Sequence, residues 1–162
     1  MKIGILSDSH DRLPMIERAV QRFHEAGVDM VLHAGDFVSP FTALPLAELG
    51  VRFVGVFGNN DGDKLYLRER FADIGKVHLG YHSFEADGLR VVLMHEPKSI
   101  DALVASGHYD LVVYGHTHKI DLRDGPCAVI NPGEACGYLS GRATVAVFDT
   151  ATGDARIIEL DP

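Results

Sequence analysis

The chain opens on a short apolar run, Ile3 to Leu6, that breaks into Ser7-Asp8-Ser9-His10-Asp11. A run of this length with polar residues beyond it predicts a buried strand delivering into a loop. Leu13, Ile16, Ala19, Val20 and Phe23 then recur at helical spacing, with Pro14 in the first turn and Gly27 at the close. That is the pattern of a helix with one apolar face. Val28 to His33 predicts a second strand ending at Ala34-Gly35-Asp36. Leu44 to Leu49, closed by Gly50, predicts a short helix. Val51 to Phe57 predicts a third strand leading into Gly58-Asn59-Asn60-Asp61, and Asp63 to Ile74 suits a helix.

Beyond this point the apolar period shortens. Val77 to Ala86 and Leu89 to Met94 flank Asp87-Gly88, which predicts a hairpin whose second arm ends at His95. Ile100, Leu103 and Val104 suit a brief helix. Leu111 to Tyr114 predicts a strand ending at Gly115-His116-Thr117-His118, and Ala128 to Ile130 another before Asn131-Pro132-Gly133. Arg142 to Phe148 and Ala155 to Leu160 close the chain as a hairpin around Thr152-Gly153. Strand and helix alternate in the first third, and strands dominate the rest. The pattern predicts an α/β fold of two mixed sheets with helices outside, as a single domain over 1–162.

Composition sharpens this picture in three ways. With 162 residues, 46% of them hydrophobic, the chain can bury a substantial core. A net charge of -8, from 15 basic and 23 acidic residues, makes long nucleic acid a poor partner. A short phosphate ester held by cations stays open, because local metal charge outweighs the global balance. Cys127 and Cys136 form no C-x-x-C pair, stand apart from the polar motifs in sequence and are too few for a disulfide scaffold. With no signal-type run at the start, they point to reduced thiols in a cytoplasm. No run approaches the ~18 apolar residues of a membrane span.

The polar residues that stand out share one property, which is that they follow apolar strands. Asp8 and His10 follow the first strand, Asp36 the second, Asn59 and Asp61 the third. His95 follows a hairpin arm, and His116 and His118 follow the next strand. In layered α/β folds the carboxyl ends of strands converge on one crevice. Carboxylate, amide and imidazole donors together suit divalent ions such as Mn²⁺, Fe²⁺, Ni²⁺ or Zn²⁺. The set is too large for one tetrahedral ion, and fits two if one carboxylate bridges them.

Asp8-x-His10, Gly35-Asp36, Gly58-Asn59-x-Asp61, His95 and Gly115-His116-Thr117-His118, in that order, resemble the calcineurin-like metallophosphoesterase superfamily. Within it they are most similar to the small archaeal and bacterial branch of YfcE-like phosphodiesterases, over roughly residues 1–133. The resemblance implies a four-layer α-β-β-α sandwich and a dinuclear centre, with Mn²⁺ the first choice. It implies that Asp8, His10 and His118 hold one ion, that Asn59, His95 and His116 hold the other, and that Asp36 bridges them. It also implies in-line attack on a small phosphodiester by a metal-bridging hydroxide, with Asp36 and Asn59 in the catalytic set. Asp61 would orient a neighbouring ligand, and self-association as a dimer or tetramer would follow small relatives.

Two positions depart from the pattern. Many relatives carry histidine where this chain has Asn60, and a neutral amide supplies no proton near neutral pH. Many carry glycine after the fourth-motif histidine, where this chain has Glu96, a carboxylate that would repel a dianionic monoester. The first departure predicts dependence on a good leaving group or on a proton from metal-bound water, and the second favours a diester over a monoester.

Other readings compete residue by residue. Asp8 could cap a helix, and Gly35-Asp36 and Gly58-Asn59 are common turns. His24 is expected to face water, His33 to be a hydrogen-bonded core residue, and His82 to be exposed on a strand. His78 and His108 read as structural, and Asn131-Pro132-Gly133 reads as a turn near the same edge. At the level of function, a scaffold on the same fold, as in a retromer subunit with a degraded ligand set, is the second reading. The complete ligand set weighs against it. A nuclease fits poorly with the acidic charge. A zinc amidohydrolase needs a barrel of about 250 residues.

Overall fold

The structure is a computed structural model that describes residues 1–161. Strand β1 (Lys2–Leu6) leads to helix α1 (Leu13–Ala26), strand β2 (Met30–His33), helix α2 (Ala43–Ala47) and strand β3 (Arg52–Val56). Helix α3 (Lys64–Arg70) and strand β4 (Gly75–His78) complete the first half. Strands β5 (His82–Ala86) and β6 (Leu89–Leu93) follow, then helix α4 (Ile100–Ala105) and strands β7 (Leu111–Val113), β8 (Ile120–Arg123) and β9 (Ala128–Pro132). Strands β10 (Thr144–Asp149) and β11 (Ala155–Glu159) end the chain.

The strands form a six-stranded sheet, β11-β10-β1-β2-β3-β4, and a five-stranded sheet, β5-β6-β7-β9-β8. Both are mixed. In the first, β1 to β4 run parallel and β10 returns antiparallel to β1. In the second, β6, β7 and β9 run parallel with antiparallel strands at both edges.

Period-two alternation sorts the side chains into layers. Ile3, Ile5, Met30 and Leu32 face Val91, Leu93, Leu111 and Val113 between the sheets. Leu6 and Val31 point the other way, onto Ile16, Ala19 and Phe23 of α1. On the far side, Ile100 of α4 packs with Val92, Val112 and Tyr114. The result is the four-layer sandwich implied by the resemblance. Among the described residues no helix is long and apolar enough to cross a membrane.

Local signals explain most boundaries. Gly27 takes φ 64° and its N–H closes α1 on the carbonyls of His24 and Phe23, a left-handed cap that glycine adopts freely. The Asp63 carboxylate caps α3 by accepting from Tyr66 N at 3.0 Å. Asp87 and Gly88, at φ 52° and 79°, form the mirror-image turn that suits a tight hairpin.

One expectation is corrected and one element is added. The run Val77 to Ala86 is not one strand: β4 pairs with β3 in the first sheet, and β5 pairs with β6 in the second. Leu79-Gly80-Tyr81 carries the chain from one sheet to the other, with Gly80 at φ 69°. Alternation is the same on either side of such a crossover, so the pattern alone does not reveal it. Strand β8 was not anticipated; it is an exposed edge strand with Ile120 and Leu122 partly open to solvent.

Candidate functional site

The ends of β1, β2, β3, β6 and β7 open onto one edge of the sandwich, and every singled-out residue lies in the loops there. Parallel register fixes this: Leu6 pairs with His33, and His33 with Gly55, so the following loops emerge side by side. Asp8, His10, Asp36, His116 and His118 all have left-handed backbones, at φ 53°, 41°, 60°, 67° and 57°. Non-glycine residues rarely adopt this conformation, and it costs about 1–3 kcal/mol when a fold imposes it. Its concentration at one edge marks loops bent to aim side chains inward.

The aimed atoms fall into two groups. In one, Asp8 Oδ1 lies 3.3 Å from His118 Nε2 and 3.9 Å from His10 Nε2. In the other, Asn59 Oδ1 lies 2.8 Å from His95 Nε2 and 2.9 Å from His116 Nδ1, and these two nitrogens are 3.3 Å apart. Asp36 Oδ2 stands between the groups, 3.6 Å from His10 Nε2 and 3.4 Å from His95 Nε2.

Neighbouring groups fix which nitrogens carry lone pairs. His95 Nδ1–H donates to Ala34 O at 2.8 Å, which leaves Nε2 free to face the site. His118 Nδ1 lies 2.7 Å from Glu134 Oε2; an ionised carboxylate only accepts, so Nδ1 is the donor and Nε2 again faces inward. Asp8 Oδ1 and His10 Nε2 are buried atoms with no hydrogen-bond partner. Buried polar atoms are nearly always satisfied. Lone pairs converging on unpartnered carboxylate oxygen are what a cation would satisfy, so the donor set fits divalent metal.

A second tier holds this arrangement. Asp61, 4% exposed, accepts from Gly58 N at 2.6 Å, Val38 N at 2.7 Å and Asp36 N at 3.3 Å. It ties the loops after β2 and β3 together by accepting from their backbone N–H groups, that of Asp36 among them. Asp8 Oδ2 accepts from Ser7 Oγ at 2.6 Å and His116 N at 3.0 Å. Asn131 donates to Gly115 O and Thr117 Oγ1, both at 3.0 Å, and so braces the loop between the paired histidines. Gly58 is required by crowding, since a Cβ there would sit 2.1 Å from Asp36 Oδ1.

The charges are strongly perturbed. Burial pushes the Asp8 carboxyl up despite the Ser7 hydrogen bond. Burial also opposes ionisation of Asp36, yet contacts with His95 and Asn60 hold its pKa well below the ordinary value. Burial alone would keep His95 neutral, but the Asp36 carboxylate outweighs it and raises the ring's pKa. Glu134 is held down to about 2 because the hydrogen bonds from Ser140, His118 and Cys136 overcome its burial.

Several residues around these donors gain definition. Asn60 donates from its backbone N and from Nδ2 to the two Asp36 oxygens, at 2.8 and 2.7 Å. Its amide therefore orients the central carboxylate. Glu96 is ion-paired with Lys98 at 2.9 Å, which offsets the charge expected to repel a dianion and weakens that argument for a diester. Cys136 does not stand apart: its buried Sγ lies within 4.8 Å of ring nitrogens of His10 and His118. It donates to Glu134 Oε2 at 3.1 Å. Glu134 itself was not anticipated, because a lone glutamate after Asn131-Pro132-Gly133 carries no spacing signal. Of the histidines read as structural, His24 and His108 are exposed. His33 is fully buried, with Gly35 N donating to Nδ1 at 3.1 Å and Ser9 Oγ 3.0 Å from Nε2. His82 is half-buried rather than exposed, stacked on His78 with ring centroids 3.5 Å apart.

Comparison with known proteins gives a consistent picture. The model of the calcineurin-like phosphoesterase superfamily domain matches residues 1–153. Phosphodiesterase MJ0936 of Methanocaldococcus jannaschii is 39% identical, covering 99% of this chain and 100% of its own. Phosphodiesterase YfcE of Escherichia coli K12 is 27% identical, covering 82% of this chain and 78% of its own. Among solved structures, an archaeal phosphodiesterase superposes with a TM-score of 0.93 at 39% identity, over 99% of this chain and 100% of that one. Vps29 of Entamoeba histolytica complexed with zinc superposes with a TM-score of 0.73 at 15% identity, over 99% and 100%, a likeness of fold.

Proposed function

Because the chain belongs to the calcineurin-like phosphoesterase superfamily, we propose that it is a metal-dependent phosphodiesterase working at a dinuclear centre on the strand-end edge. The observation that carries this reading is the position of Asp36 Oδ2, 3.6 Å from His10 Nε2 and 3.4 Å from His95 Nε2, between two groups of donors. Asp8, His10 and His118 would hold one divalent cation, Asn59, His95 and His116 the other, and Asp36 both. Two such cations supply Lewis acidity toward the phosphoryl oxygens and lower the pKa of water, with Mn²⁺ the first candidate and Ni²⁺, Fe²⁺ and Zn²⁺ behind it.

The chain's own residues set the geometry. Asp61 and Asn60 hold the loop and carboxylate of Asp36. Ser7 and the His116 N–H occupy Asp8 Oδ2, which leaves Oδ1 for the site. Glu134 and Ala34 O fix the His118 and His95 tautomers. Near neutral pH the Asn60 amide supplies no proton to a leaving group, so the reading includes dependence on leaving-group acidity or on a proton from metal-bound water. The diester preference rests on the similarity to phosphodiesterases, since Glu96 is paired with Lys98. The protein is read as a cytoplasmic enzyme of small substrates that self-associates as a dimer or tetramer.

The test is hydrolysis of bis-p-nitrophenyl phosphate against p-nitrophenyl phosphate by Mn²⁺-loaded protein, with Asp36→Asn alongside. The expected result is higher kcat/KM for the diester, near two ions per chain, and a loss in Asp36→Asn of at least ~100-fold. Two bound ions without turnover of either ester would favour the scaffold reading on the same fold. Equal turnover by Asp36→Asn would remove Asp36 from the bridge.

A further inference from the structure

A cleft of about 530 Å³ opens directly beside the donor group of Asn59 and His95, and those two residues form part of its wall. Much of the rest of the wall is apolar, formed by Phe57, Met94 and Leu103 together with Leu79 and Tyr81 of the crossover between β4 and β5. Leu79 and Tyr81 are 65% and 69% exposed. Large apolar side chains that stay exposed to solvent while lining a cleft mark a binding surface. No packing role in the sandwich accounts for them.

We propose that this cleft binds one ester arm of the substrate, and that the arm is a bulky aromatic group of about nucleoside size. The proposal rests on the phosphodiesterase reading above, because it is the shared wall of Asn59 and His95 that would join a phosphate at the metal edge to a substituent in the cleft. Three observations select the class of arm. The volume is within the range of about 300–1,000 Å³ that accommodates a whole drug-sized ligand, and a methyl or ethyl substituent would leave most of it unfilled. The wall carries two aromatic rings, Phe57 and Tyr81, which favour a planar partner. The polar side chains on it away from Asn59 and His95 are Lys64, Ser99 and the pair Glu96 and Lys98, so the cation left for a ligand is Lys64. Lys64 Nζ lies 5.9 Å from the Phe57 ring centroid and donates to Asp61 O at 3.0 Å, so its ammonium is held over the apolar floor with hydrogens to spare. An aromatic arm bearing acceptor atoms matches that combination, whereas a purely aliphatic one offers the remaining Lys64 hydrogens no acceptor. Glu96 also faces the cleft, but Lys98 pairs with it at 2.9 Å.

A simple ester of methylphosphonic acid has one ester arm and one negative charge, so it reports on the cleft without ambiguity over which arm leaves. Affinities of the methyl, phenyl and thymidine 5′ esters of methylphosphonate for Mn²⁺-loaded protein would be measured by calorimetry. The phenyl and thymidine esters are expected to bind at least about tenfold more tightly than the methyl ester, a ratio of about 1.4 kcal/mol. In Leu79→Ser/Tyr81→Ser protein that ratio should fall toward one. Both side chains are already solvent-exposed, so the double variant keeps its fold, and an unchanged melting temperature checks this. Equal affinity for the three esters, or a preference that survives in the double variant, would overturn the proposal. Turnover of bis-p-nitrophenyl phosphate, read separately, tells failure of the cleft from failure of the phosphodiesterase reading.

Discussion

Glu134 offers a sharp test of how the site is held, because one atom of its side chain can be changed with the shape preserved. Its Oε1 accepts from Leu139 N at 2.9 Å and from Ser140 N, while Oε2 faces His118 Nδ1 at 2.7 Å and the Cys136 thiol at 3.1 Å. In Glu134→Gln, the two backbone N–H groups pin the amide oxygen at the Oε1 position. The new NH₂ is thereby forced onto His118 Nδ1. A donor cannot face a donor, so the imidazole must shift its proton to Nε2, the nitrogen 3.3 Å from Asp8 Oδ1. That proton then occupies the place proposed for a cation. Loss of an orienting partner of this kind costs about 10–100-fold in metal affinity, or about 1.4–2.8 kcal/mol. Titration of chelator-treated protein with Mn²⁺ by calorimetry should show one of two binding events weakened by that factor and the other nearly unchanged. Long-range ¹⁵N–¹H correlation spectra of the metal-free protein should show His118 protonated at Nδ1 in the parent and at Nε2 in the variant. Unchanged affinity for both ions together with an unchanged tautomer would refute the reasoning.

Two further outcomes are expected. Gly58→Ala would drive a Cβ to 2.1 Å from Asp36 Oδ1 and 2.5 Å from Asp36 N, an overpacking that costs about 1–3 kcal/mol. Urea unfolding of metal-free protein should register the loss, and Mn²⁺ binding should weaken with it. Buried His33 has its pKa held down to about 3 by desolvation, with the neighbouring His95 and His10 charges lowering it further and Asp36 opposing them. The unfolded chain, with an ordinary value of 6.5, binds this proton first as pH falls. The native advantage is therefore whole above pH 6.5 and lost toward pH 3, at about 1.4 kcal/mol per unit. His33→Gln should flatten urea-derived stability between pH 6.5 and 5 relative to the parent, and an identical slope would contradict the assignment.

The sequence carried much of this plan because strand ends and function coincide. Asp8, Asp36, Asn59, His95 and His116 each interrupt an apolar run, and register then aligns those interruptions at one edge. The amphipathic face of α1 and its glycine stop were legible for the same reason: they are local. What was hidden depends on distant pairing. The crossover at Leu79-Gly80-Tyr81 splits one alternating run between two sheets, and nothing in a local period records which sheet a strand joins. Glu134 and Cys136 reach His118 only after β9 has paired with β7 and turned back over the site. The ion pair of Glu96 with Lys98 is a short-range contact, but only the loop conformation decides that the two side chains meet.

The division of the donors between the sheets has a consequence for the lifetime of the protein. Asp8 and His10 follow β1 and Asn59 follows β3, all in the six-stranded sheet, while His95, His116 and His118 follow β6 and β7 in the other. Each proposed cation therefore draws ligands from both sheets and acts as a rivet across the open edge of the sandwich. Neither sheet alone offers a full set, so the rivets can be set only once the sheets have docked. Bound at a hundred times the dissociation constant, one such ion adds about 2.7 kcal/mol. That stabilisation is absent before docking and so falls on the rate of unfolding rather than the rate of folding. A chevron measured with and without Mn²⁺ should move only in its unfolding limb. In a cell, the chain's persistence against proteases would then follow the supply of the metal, and starved copies would be cleared while loaded copies endured.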